Sequence, residues 1–191
     1  MSDDTTAQHR ETIRRLAAEA FKDHVIDDLG ATERGGVHAY HFAQPGSGIY
    51  AVHVIMWPGW VVVAGDTGDT LFRHSDRDTI GWLRGAVNDV GYMLGKVQGA
   101  RKVFMAGDAL AYVEDRIAQL EHGRPGSTEN SRILRELVEC DDITASDFYQ
   151  ACSESHDDDW PACTDFDSDH LWAVEALRHF VAKLGGAGTA T

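Results

Sequence analysis

Near the start of the chain, apolar residues recur at three- and four-residue spacing: Ile13, Leu16, Ala17, Ala20 and Phe21, with Arg and Glu between them. That period predicts an amphipathic helix over residues 5–22, which Gly30, Gly35 and Gly36 bring to an end. The pattern then shortens to that of strands. "GVHAYHFA" (36–43) alternates, with a His and an apolar residue on each face. "GIYAVHVIMW" (48–57) and "WVVVAG" (60–65) are β-branched and nearly continuous, and "TLFR" (70–73) is a fourth short segment. These read as strands, joined by "QPGSG" and by Trp57-Pro58-Gly59-Trp60, where Pro and Gly supply turn conformations.

The link between the last two strands, "GDTGD", admits two readings. A phosphate loop needs G-x-x-x-x-G-K-[ST] or a G-x-G-x-x-G that opens a helix. Gly65 and Gly68 stand three apart, no Lys follows, and two aspartates would repel a phosphate. The segment also lacks the oxygen ligands of an EF-hand loop. Gly65, Asp66 and Gly68 are therefore expected to form a structural corner, as are Trp57, Pro58 and Gly59 at the preceding turn.

Beyond residue 77 the pattern is helical. Ile80, Leu83, Val87, Val90 and Leu94 suggest a helix over 78–97, started by Asp78 or Thr79 and weakened by four glycines. Asp108 can cap 109–123, Thr128 can cap 129–140, and Thr144 or Ser146 can cap 147–155. Ser168 opens a last helix with Leu171, Val174, Leu177 and Val181 on one stripe, ending at Gly185. The expected fold is α+β: a small antiparallel sheet of about four strands (36–73), one N-terminal helix, and a helical C-terminal portion packed on the sheet. A single domain over 1–185 with a tail at 186–191 follows from the length of 191 residues.

Composition narrows the setting. No apolar run approaches the ~20 residues that span a bilayer, and the charged start "MSDDTTAQHRETIRR" lacks a signal peptide's apolar segment. Three cysteines without a CxxC make a poor disulfide framework. A cytoplasmic, membrane-free protein is expected. Charge is less ordinary: the net is −14, and from Glu136 to Leu177 there are thirteen acids and no Lys or Arg. That run includes Asp141, Asp142, Asp157, Asp158, Asp159, Asp165, Asp167 and Asp169. Aromatic residues among them (Phe148, Tyr149, Trp160, Trp172) mark folded acid rather than a tail. These eight aspartates are the candidate partner-binding residues, offering carboxylates where a nucleic-acid-binding protein expects phosphates. A solvated, solubilising face is the plainer alternative, and calcium binding by "DFDSD" a weaker one.

Candidate chemistry elsewhere is thin. His38 and His41 fall on opposite faces of a strand, while His41 and His53 can meet across neighbouring strands and hold zinc. Cys152, His156, Cys163 and His170 could supply four ligands, but at no known spacing. Neither Cys140 nor Cys152 has a neighbour to activate it, and Ser47 lacks the G-x-S-x-G frame. No metal and no cofactor are expected, and no catalytic residue is assigned. Trp57, Trp60 and Tyr50 read as core. With only Arg73, Arg77, Arg84, Lys96, Arg101 and Lys102 as bases between residues 60 and 110, direct nucleic-acid binding is not expected.

The run "HFAQPGSGIYAVHVIMWPGWVVVAGDTGDTLFR" resembles the core of a family of uncharacterised proteins encoded by bacteriophages and prophages. Pro45, Gly48, Ile49, Tyr50, Trp57, Pro58, Gly59, Gly65, Asp66, Gly68 and Phe72 carry the likeness, which continues weakly through "GYMLGKVQGARK" and Trp172. His38 and His41 stand where that family often has Arg. The resemblance implies a phage-borne accessory protein and no known activity. The expectation is an anti-defence, anti-CRISPR-like inhibitor that presents an acidic surface to a host protein or nucleoprotein complex with a basic face. The alternatives are a small hydrolase or nucleotide-handling enzyme using His and Asp66, or a regulatory or structural accessory protein.

Overall fold

The computed structural model describes residues 3–32, 36–122, 128–140, 142–155 and 163–186. The chain is α+β, and it divides into two compact units: residues 10–101 with 166–191, and residues 1–9 with 102–165.

The larger unit is built on a five-stranded antiparallel sheet in sequence order: β1 (Val25–Ala31), β2 (His38–Ala43), β3 (Val52–Trp57), β4 (Trp60–Gly65) and β5 (Thr70–Arg73). Four of these strands match the expected set. The fifth, β1, lies along β2 with a bulge between Asp28 and Gly30. Strand parity sorts the side chains. Tyr40, Phe42, Val52, Val54, Met56, Val61, Val63 and Phe72 are buried on one face. They form one core with Ile13, Ala17 and Phe21 of the first helix and with Leu171, Val174, Leu177 and Phe180 of the last. These helices are α1 (Asp3–Ala20) and α7 (Ser168–Gly186). Burying that many aliphatic and aromatic side chains, at about 1.5–3 kcal/mol each, is the main stabilising contribution in the unit. Inside α7, Glu175 is 5% exposed and takes Arg178 Nη1 on both oxygens at 2.8 Å.

The single helix expected over 78–97 is two: α2 (Thr79–Ala86) and α3 (Val90–Leu94). Asp89 causes the break, because its carboxylate accepts the Tyr92 N–H at 2.9 Å and so begins a new helix. Asp78 does the same for α2, accepting from Gly81 N–H at 2.9 Å.

The smaller unit has its own core, in which Ala109, Val113, Leu134, Leu137, Phe148 and Cys152 are buried together. They come from α4 (Ala106–His122), α5 (Thr128–Val138) and α6 (Ala145–Glu154). Thr144 caps α6 in a capping box with Asp147. Asp108, the expected cap of α4, is instead inside its first turn, 4% exposed and accepting from the Thr6 hydroxyl. Two three-residue strands, β6 (Lys102–Phe104) and β7 (Thr164–Phe166), form a second sheet.

Candidate functional site

The corner residues are structural. Trp57 pairs with Trp60 across a two-residue turn in which Gly59 has φ 86°, the signature of Pro-Gly at the centre of a type II turn. At the second corner Gly65 has φ 144°, and a Cβ there would lie 2.3 Å from the Ala51 carbonyl oxygen. Only glycine permits that approach. Asp66 contributes its backbone N–H to the same oxygen at 3.1 Å. Gly68 admits the Asp169 side chain, since its Cβ would be 2.7 Å from the Asp169 carboxyl carbon.

Trp57 and Trp60 are not in the core. Both stand on the outward face of the sheet, rings stacked at 6.1 Å, with the Arg73 guanidinium 5.3 Å from the Trp60 centroid. Parity decides this: Val52, Val54 and Met56 face in, so Trp57 faces out. Tyr50 packs flat on Trp172 at 5.3 Å and is 41% exposed.

On the same outward face His41 pairs with His53, rings 5.0 Å apart, and His41 Nδ1 lies 3.8 Å from an Asp27 carboxylate oxygen. His38 is paired with Met56 on the inward row. Among the described residues no group of three or more His, Cys, Asp or Glu side chains could hold a metal ion. His170 is bound to Thr70 at 3.0 Å, and His156 lies outside the described residues. Cys152 and Cys163 are buried, and burial beside Asp108 pushes the Cys163 thiol up to about 11, which keeps it protonated and unreactive.

The acidic aspartates divide sharply. Asp142 is exposed, and Asp141, Asp157, Asp158 and Asp159 lie outside the described residues. Asp165 is 2% exposed, so its carboxylate is withdrawn from the surface. Asp167 is held by Arg101, whose Nε donates at 2.6 Å, and that bond keeps its carboxyl below the usual range. Asp169 is exposed at the start of α7. Asp167 and Asp169 belong to the larger unit, the others to the smaller one.

The unit boundary brings out what residue-by-residue reading missed. The smaller unit carries 17 acids and 5 bases, net −12, against 14 acids and 12 bases, net −2, in the larger. Glu114, Asp115, Glu121, Glu129, Glu136, Glu139, Asp142, Asp147 and Glu154 are all exposed on it. Arg132 is engaged by Glu129 and Glu136, and Arg135 by Glu121. The guanidinium of Arg132 holds the Glu129 carboxyl below its ordinary value. Two of the unit's five bases are thus already neutralised by its own carboxylates. Among the described residues no helix is long and apolar enough to cross a membrane. No family model, no curated protein and no solved structure matches the chain.

Proposed function

We propose that the chain is an interaction protein whose smaller unit presents carboxylates to a basic, nucleic-acid-binding surface of a partner. The observation that carries this reading is the confinement of charge: a net −12 belongs to one compact unit with its own core, while the other unit is nearly neutral. Like charges gathered on one folded surface repel and cost stability. Spread over the whole chain, the same excess would confer solubility at less cost. Concentrated, it sets up a negative field that reaches about a Debye length, ~8 Å at physiological ionic strength, and speeds encounter with a basic groove. On the expectation that the central run places the chain with phage and prophage proteins, the proposed partner is a host defence complex that grips nucleic acid, with this chain as its inhibitor.

The test is capture from a bacterial host lysate on the immobilised chain, followed by competition. Duplex DNA should release the captured complex, because both ligands occupy one basic surface. Asparagine at Asp141, Asp142, Asp157, Asp158 and Asp159 together should weaken capture. A captured complex that duplex DNA leaves in place, or that the variant holds equally well, overturns the reading in favour of a solubilising face.

A further inference from the structure

A cavity of about 470 Å³ opens in the larger unit beside α2 and α3. Two aromatic rings wall it: Trp82 and Tyr92, centroids 6.5 Å apart with planes inclined at 50°. Trp82 Nε1–H donates to the Tyr92 hydroxyl at 3.2 Å, which fixes the two rings against each other. Its floor is bare at Gly85, where a Cβ would meet nothing within 4 Å, whereas Gly81, one helical turn earlier, lies against the Asp78 carboxylate. Two carboxylates, Asp76 and Asp89, complete the lining, and no Lys or Arg belongs to it. Asp89 uses Oδ1 to cap α3, and Asp76 uses Oδ1 to accept the Asp78 N–H at 3.3 Å. Oδ2 of each is left for a ligand.

The rear of Trp82 is already covered. The His74 ring stacks on it at 4.1 Å and 3°, leaving the other ring face for the cavity. Burial holds His74 below its usual pKa, so the stacked ring is neutral and does not oppose a cation on the far side. A ring face with carboxylates beside it attracts cations through its quadrupole, most strongly where the ring is tryptophan. The chain itself shows the attraction, since Lys96 Nζ lies 4.7 Å from the Tyr92 centroid without entering the lining.

We propose that this cavity binds an organic ammonium cation, its alkyl groups against Trp82 and Tyr92 and its charge balanced by Asp76 and Asp89. The volume falls within the usual range of small-ligand pockets, ~300–1,000 Å³. A free quaternary ammonium compound and a lysine side chain share this chemistry. The site is independent of the acidic unit and stands whether or not that unit mimics nucleic acid.

Amide chemical shifts of the isotopically labelled full chain test it, with three probes at millimolar concentration. Choline should move the amides of residues 81–92. Its uncharged carbon isostere, with a tert-butyl group in place of trimethylammonium, should bind roughly tenfold more weakly, the factor that about 1.4 kcal/mol of cation–π attraction represents. A short lysine peptide separates the sources: tighter binding than choline assigns the site to a protein side chain, weaker binding to a free quaternary cation. Gly85→Leu fills the floor, improves helix propensity and should abolish binding in a folded protein, whereas Trp82→Ala also removes the His74 stack. An isostere that binds as tightly as choline, binding that survives Gly85→Leu, or no movement in 81–92 with either cation overturns the proposal.

Discussion

Replacing Gly65 with alanine tests the corner that ends β4. The residue is held at φ 144°, and the new Cβ would be placed 2.3 Å from the Ala51 carbonyl oxygen and 3.1 Å from Val52 Cα. Backbone atoms cannot swing aside as a long side chain can. The strained conformation costs about 1–3 kcal/mol. Relief requires moving Ala51 O, the acceptor of the Asp66 N–H bond, which adds about 1 kcal/mol. Together the loss is roughly 2–4 kcal/mol, or about 5–15 °C in Tm for a unit of this size. Gly46→Ala is the matched control: φ is 75°, but nothing lies within 4 Å of the new carbon, so only the backbone term of about 1 kcal/mol remains. Urea denaturation followed by tryptophan fluorescence is the assay, because four of the five tryptophans (57, 60, 82 and 172) belong to the larger unit. A Gly65→Ala loss no greater than that of Gly46→Ala would refute the close-approach argument.

Asp66→Asn should leave folding and partner capture unchanged, since Asp66 serves the corner through its backbone; a folded variant that lost capture would make the side chain functional. Of the three thiols only exposed Cys140 should react with a thiol reagent in the native protein, with Cys152 and Cys163 following only on unfolding; a fast second equivalent contradicts the buried, protonated state of Cys163. Burial depresses His24, His74 and His179 in the fold. The unfolded chain therefore binds their protons first, and their contribution is complete above the unfolded value of about 6.5 and lost as pH falls below it. Denaturation midpoints between pH 7 and 5 should decline, less steeply in His74→Phe, which keeps a ring on Trp82; an equal slope in that variant removes His74 from the account.

The hairpins were legible because β-branched runs and Pro-Gly turns speak through local chemistry. β1 was not. "VIDDLGA" places two aspartates and a glycine in an exposed edge strand, where charge guards an open edge rather than marking a core face. β6 and β7, at three residues each, are too short to carry any periodicity. The near-continuous apolar run of β3 hid its parity, so Trp57 and Trp60 read as core when they face outward. Helical periodicity could not show that Asp89 restarts the helix and brings Tyr92 against Trp82. The acidic excess was plain in the sequence. Its confinement to one compact unit was not, because the run of acids crosses the unit boundary at Phe166, and because Asp165 and Asp167 are occupied by the fold.

The central claim is most directly tested by the affinity of the captured complex across 50–300 mM salt, measured for the native chain and for the variant with asparagine at positions 141, 142, 157, 158 and 159. Electrostatic recognition of a basic groove predicts that native affinity falls steeply over this range, as screening shortens to within ~10 Å and below. The variant should bind more weakly at low salt, with a flatter dependence, so that the two curves converge as salt rises. Parallel curves of equal height would contradict the account, leaving the carboxylates as a solvated surface and placing the partner elsewhere on the chain.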